Sequence, residues 1–129
     1  MQRKKITVVE DEPSIRDIID ILLTSENFEV ILCANAREFH ESLTFPLPDL
    51  FILDMMLPDG NGIDLCRELR TDLRTVSIPI LVMSANVHAL RALECGANFF
   101  LQKPFDIQIL VQKVKELVAG DGVQTKIHP

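Results

Sequence analysis

Short apolar runs alternate along this chain with longer stretches in which apolar residues recur at helical spacing. At its centre lies Leu50-Phe51-Ile52-Leu53, followed at once by Asp54 and then by the turn-forming residues Pro58, Asp59, Gly60 and Gly62. An unbroken apolar run of this length predicts a strand buried on both faces, as in a parallel sheet. Ile6-Thr7-Val8-Val9, Phe28 to Leu32, Pro79-Ile80-Leu81-Val82-Met83 and Phe99-Phe100-Leu101 predict four further strands. Pro79 stands near a strand start, where its missing N–H matters least.

Between them the period changes to that of a helix. Pro13 suits a first helical position, and Ile15, Ile18, Ile19, Leu22 and Leu23 form an amphipathic stripe to about Ser25. Asn35 followed by Glu38 resembles a capping box opening a short helix with Phe39 and Leu43, closed off by Pro46 and Pro48. A third helix begins near Gly62 and buries Leu65, Cys66 and Leu69. Val87, Leu90 and Leu93 mark a short fourth helix that Gly96 is placed to end, and Asp106 caps a last helix carrying Ile107, Leu110, Val111, Val114, Leu117 and Val118. From Gly120 onward the chain is polar and aperiodic. The expected organisation is one domain over residues 1–119, with 120–129 a polar tail or the start of a linker. Five strand–helix pairs in strict alternation imply an α/β fold, with a doubly wound parallel sheet and right-handed crossovers.

Composition narrows the function classes. A chain of 129 residues, 47% hydrophobic and 25% charged, fits one globular domain. Trp and Tyr are absent, so the core is aliphatic with Phe. A net charge of −6 gives no electrostatic footprint for nucleic acid. The opening Arg3-Lys4-Lys5 precedes too few apolar residues for a signal-peptide core, and no run approaches the length that spans a bilayer. Cys33, Cys66 and Cys95 are widely spaced, fit neither a zinc site nor a disulfide framework, and lead us to expect a cytoplasmic protein. They read as small core or semi-buried residues. His40, His88 and His128 show no ligand spacing and read as surface residues, and Met55 and Met56 as loop packing.

In a sheet of this kind ligands bind beyond the carboxyl ends of the strands. Glu10 and Asp11 follow the first strand, Asp54 the third, Ser84-Ala85 the fourth, and Lys103-Pro104 the fifth. Clustered carboxylates repel one another unless a counter-charge is present. Hard oxygen ligands of this kind suit Mg²⁺ or Mn²⁺ rather than Zn²⁺. Lys103 would place a point charge on a phosphoryl group and Ser84 a hydrogen-bond donor, which makes the strand-end Asp54 a plausible phosphoryl acceptor. The first strand–helix turn, Glu10-Asp11-Glu12-Pro13, has no glycine-rich loop for a dinucleotide.

The set Glu10-Asp11, Asp54, Ser84-Ala85 and Lys103-Pro104-Phe105 resembles the receiver domain of two-component response regulators. The resemblance runs from about Lys5 to Val118 and is supported by Leu57-Pro58-Asp59-Gly60-Asn61-Gly62 and by Arg91 to Ala97. It implies a flavodoxin-like (βα)5 fold with strand order 2-1-3-4-5. Asp54 would then take a phosphoryl group from the phosphohistidine of a sensor kinase or a phosphotransfer protein. Asp11, Asp54 and the backbone carbonyl of Met56 would hold Mg²⁺, with Glu10 acting through a metal-bound water. Ser84 and Lys103 would bind phosphoryl oxygens. Ser84 and Phe100 would be the switch pair that remodels the face of the fourth helix, fifth strand and fifth helix, where an output domain, a partner or a second receiver docks. Met56 and Asn86 lie where family members tune hydrolysis, and the Lys103–Pro104 bond is expected to be cis.

Three departures from the family pattern stand out. Glu10 replaces a commoner aspartate, Phe100 lacks a hydroxyl, and the interval from Ser84 to Lys103 is short by roughly one helical turn. The resemblance implies a signalling domain whose only chemistry is on its own aspartate. Two alternatives remain open: a receiver-like interaction module that is not phosphorylated, and an aspartyl-phosphate phosphatase. The latter is disfavoured by Met56 standing where such enzymes carry a second aspartate.

Overall fold

A computed structural model describes residues 3–85 and 94–120. The expected fourth helix at Val87, Leu90 and Leu93, together with Asn86, His88 and the tail from residue 121 that includes His128, lies outside the described residues. Among those described, β1 (Lys5–Val9), β2 (Glu29–Cys33), β3 (Leu50–Asp54), β6 (Ile80–Ser84) and β7 (Phe99–Gln102) form one parallel sheet in the order β2-β1-β3-β6-β7. Counted along the sheet strands alone, this is the order 2-1-3-4-5 that the resemblance implied. The short strands β4 (Met56–Leu57) and β5 (Gly60–Asn61) pair as an antiparallel ribbon within what had read as a plain loop.

The apolar run of β3 is explained by its place in the middle of the sheet. Leu50 and Ile52 pack with α1 (Pro13–Ser25) and the C-terminal helix (Ile107–Val118), against Ile19, Leu23, Leu110 and Val114. Phe51 and Leu53 face the other layer, built from α2 (Ala36–Ser42) and α3 (Gly62–Thr71) with Phe39, Leu65 and Leu69. All five residues of β3 are buried. Each such apolar side chain contributes about 2 kcal/mol on removal from water, so the strand is held from both sides and from both neighbouring strands.

The helix starts follow the sequence signals. Pro13 opens α1 behind Glu12, whose carboxylate accepts from the Ser14 amide. The Asn35 side chain accepts from the Glu38 amide at 2.8 Å, and Glu38 reaches back to the Ala34 amide at 2.6 Å. Asp106 caps the C-terminal helix through the Gln108 amide. The second strand begins one residue later than Phe28, because Phe28 turns off α1 by donating its amide to the Leu23 carbonyl.

Two glycines are required by close approach. A Cβ on Gly62 would lie 2.4 Å from the Asp54 carbonyl oxygen, so α3 starts directly against the backbone that carries Asp54. Gly96 has φ of +99° and a Cβ there would lie 2.8 Å from Arg70 Cγ. Arg70 uses that space to donate to the carbonyls of Gly96, Val76 and Ile78 and to Asn98 Oδ1. Gly62→Ala is expected to lower the unfolding free energy by about 2 kcal/mol or more, since backbone rather than a flexible side chain would have to move. Urea denaturation checks this: the midpoint falls at unchanged slope.

Candidate functional site

Parallel pairing brings the strand ends to one edge. β1 leads into Glu10, whose amide continues the ladder to the Cys33 carbonyl at 2.9 Å. β3 ends in Asp54, in register with Met83. Ser84 ends β6 opposite Gln102, and the next amide, that of Lys103, donates to the Ser84 carbonyl at 2.8 Å. The Lys103–Pro104 peptide is cis.

From this position Lys103 Nζ donates to Glu10 Oε1 at 2.6 Å and to Asp54 Oδ2 at 3.0 Å. Glu10 is wholly buried and the Lys103 side chain is only 15% exposed. Oxygen atoms of Glu10, Asp11 and Asp54 all lie within 4.8 Å of one another, with Asp11 on the exposed side. The Met56 amide donates to Asp54 Oδ1 at 3.2 Å, and the Glu12 amide to Glu10 Oε2 at 3.0 Å.

Burial pushes the Glu10 carboxyl up from its usual 4.5 to about 7, although hydrogen bonds from Lys103 and the Glu12 amide pull the other way. Burial also works against the Lys103 ammonium, but its hydrogen bonds to Glu10 and Asp54 outweigh that and hold its pKa above the ordinary value. With every group ionised, three carboxylates face one ammonium, and the pocket carries an excess of negative charge. A hard divalent cation is the counter-charge that such an oxygen donor set accommodates.

The structure therefore draws together Glu10, Asp11, Asp54 and Lys103 as the strand-end reading placed them. Ser84 is buried at the end of β6, beside the Lys103 backbone. Phe100 is half-buried in β7, in register with Val82 and packed against the cluster on the α2–α3 side. Met56 corrects one expectation. Its side chain is 74% exposed rather than packed into the loop, because successive residues of the β4–β5 ribbon point to opposite sides and Leu57 takes the inward place. His40 is on the surface, bonded to Glu68 at 2.7 Å, and all three cysteines are buried thiols outside any disulfide.

Two contributors were not legible in the sequence. Arg16 donates from Nη1 to the Glu10 carbonyl at 2.8 Å and the Asp11 carbonyl at 3.3 Å, fastening the acidic turn to α1. Its place one turn beyond Glu12 was the available signal. Asp59, read as a turn residue, accepts from the Ala36 and Arg37 amides at 2.7 and 3.0 Å, and those bonds hold its carboxyl below the usual range.

Fold and site together define a class: a doubly wound, flavodoxin-like α/β protein with an acidic pocket and a lysine at the carboxyl edge of its sheet. Within that class, the chain belongs to the response regulator receiver domain family, which it matches over residues 6–115. It is 35% identical over 125 residues to the phosphate regulon transcriptional regulatory protein PhoB of Pseudomonas aeruginosa, covering 95% of this chain and 55% of that protein. A probable transcriptional regulatory protein of Picosynechococcus is 43% identical over 126 residues, covering 90% of this chain and 49% of that protein. The chain thus spans about half the length of the curated relatives it matches.

Among solved structures, a putative response regulator from Chloroflexus aurantiacus has a TM-score of 0.86 at 30% identity, covering 92% of this chain and 99% of that one. The receiver domain of a sensor histidine kinase from Pseudomonas aeruginosa, with a magnesium ion coordinated in its active-site cleft, has a TM-score of 0.82 at 27% identity, covering 92% and 99%. No helix among the described residues is long and apolar enough to cross a membrane.

The raised Glu10 pKa carries a pH dependence. The folded protein holds this proton more tightly than the unfolded chain, so in chelator the contribution of Glu10 to stability is full below about pH 4.5 and is lost as pH rises to about 7. The Glu10-dependent part of the thermal midpoint measured in EDTA is expected to drop between about pH 4.5 and pH 7 and to level off above that. In Glu10→Gln that drop is expected to flatten.

Proposed function

We propose that this chain is a phosphoacceptor signalling domain, that Asp54 is the acceptor, and that the donor is the phosphohistidine of a sensor kinase. The observation that carries the reading is Lys103 Nζ bridging Glu10 and Asp54, with the Asp11 carboxylate completing the same cluster. Asp11, Asp54 and the Met56 carbonyl would hold Mg²⁺, or Mn²⁺, with Glu10 acting through a water. The cation supplies charge neutralisation for the transferring phosphoryl oxygens.

The chain's own residues do the rest. A carboxylate oxygen of Asp54 attacks phosphorus, the phosphorus–nitrogen bond to the donor imidazole breaks, and an acyl phosphate remains on Asp54. Burial of β3 keeps that carboxylate at one position, which contributes orientation rather than reactivity. Lys103 offsets the charge of the phosphoryl group from the partners it already bridges, and Ser84 donates a hydroxyl hydrogen bond from the end of β6. Phe100, half-buried on β7, repacks when Ser84 engages the phosphoryl group. That change passes to the face of the fourth helix, fifth strand and last helix, where an output domain, a partner protein or a second copy docks. The domain spans residues 1–119, acts in the cytoplasm, binds no nucleic acid or membrane itself and has no substrate beyond its own aspartate. Residues 120–129 are a tail or the start of a linker.

A small phosphodonor such as acetyl phosphate is expected to label the chain only with Mg²⁺ present, and Asp54→Asn to abolish the label; label persisting in that variant overturns the assignment. Labelling with no change in partner binding or oligomeric state would favour the interaction-module reading. Mg²⁺ at ten times its dissociation constant is expected to stabilise the fold by about 1.4 kcal/mol, checked by thermal shift, with most of the gain lost in Asp11→Asn.

A further inference from the structure

Away from the acidic edge, the face of α3 that meets the segment entering β7 brings two cysteines together. Cys66 is wholly buried and its thiol donates to the Cys95 carbonyl oxygen at 3.3 Å. One helical turn on, Arg70 Nε donates to the Gly96 carbonyl at 2.9 Å, and Nη2 to Asn98 Oδ1 at 2.7 Å. Residues 95–98 are therefore clamped to α3 at consecutive points, and the positive φ of Gly96 belongs to that clamp. Cys95 is buried beside Cys66, in one core cluster. The third thiol, Cys33, stands at the end of β2.

We propose that Cys66 and Cys95 are a redox pair, which a small hydroperoxide converts reversibly to an intramolecular disulfide joining α3 to the segment that leads into β7. The approach of the Cys66 thiol to Cys95 pulls the Cys95 thiol down to about 7 and pushes the Cys66 thiol up. Cys95 is thus the nucleophile and Cys66 the resolving thiol. The Cys95 sulfur attacks one peroxide oxygen, the oxygen–oxygen bond breaks, and the departing oxygen leaves as water or alcohol with a proton. The Cys66 sulfur then displaces hydroxide from the resulting sulfenic acid; its own proton leaves with that hydroxide as water, and the sulfur–sulfur bond forms. Both sulfurs are oxidised by one electron each and the peroxide is reduced by two. Cys33, at the end of β2 on the opposite edge of the sheet from β7, takes no part.

The disulfide ties down the entry to the strand that carries Phe100 and, just beyond its end, Lys103, without touching the acidic pocket. The test uses the whole 129-residue chain treated with hydrogen peroxide and then denatured. Free thiols are expected to fall from three to one. The intact mass is expected to fall by two hydrogens and to recover with dithiothreitol, and the Cys66 and Cys95 peptides to map as one cross-linked species. Cys33→Ser is expected to oxidise in the same way and Cys95→Ser to remain reduced. Three titratable thiols after treatment, a bridge that includes Cys33, a bridge between two molecules, or oxygen added to Cys95 without a bridge would each overturn the proposal. The wild-type chain decides it alone, whether or not a variant folds poorly.

Discussion

The structure turns on one ammonium group held between two carboxylates. Lys103 reaches back across β6 to meet Asp54 at the end of β3 and Glu10 just past the end of its neighbour β1. A buried carboxylate without a partner is costly, and two of them side by side more so. The fold tolerates that concentration of charge because Lys103 relieves part of it and backbone amides of Glu12 and Met56 relieve more. The relief is incomplete. The excess negative charge is what gives the pocket an appetite for cations and for groups that bring a cation with them.

Holding a lysine so far into the sheet edge requires a fixed frame. β3 supplies it, buried on both faces and paired on both edges, and Gly62 lets α3 begin hard against its last peptide. Arg16 and Arg70 make the frame continuous. One fastens the acidic turn to α1, the other fastens the approach to β7 to α3. Both work through backbone carbonyls, Arg70 also through the Asn98 side chain, so their contribution is to loop shape, and the side chains of the acidic pocket remain available.

Much of this was legible in the residues. The switch between strand and helix period gave the alternation of elements, and the polar residues after each strand gave the edge where they meet, because a parallel sheet leaves little choice about where strand ends go. Strand order came from the family resemblance, since periodicity does not say which strands are neighbours. The sequence was silent where backbone groups are the partners. Arg16, Arg70 and Asp59 bond to carbonyls and amides that no residue pattern advertises, and the β4–β5 ribbon rests on a register of two residues each. Met56 was misplaced for a related reason: hydrophobicity alone does not say which side of a two-residue strand faces out.

The grip of Asp59 on the first amides of α2 gives the loop that follows β3 a second attachment. One end is moored at the acidic pocket and the other at a helix on the far flank from β7. The opening turn of α2 thus shares a tether with the loop that leaves Asp54, and breaking the Asp59 bonds would release that loop on the side away from β7.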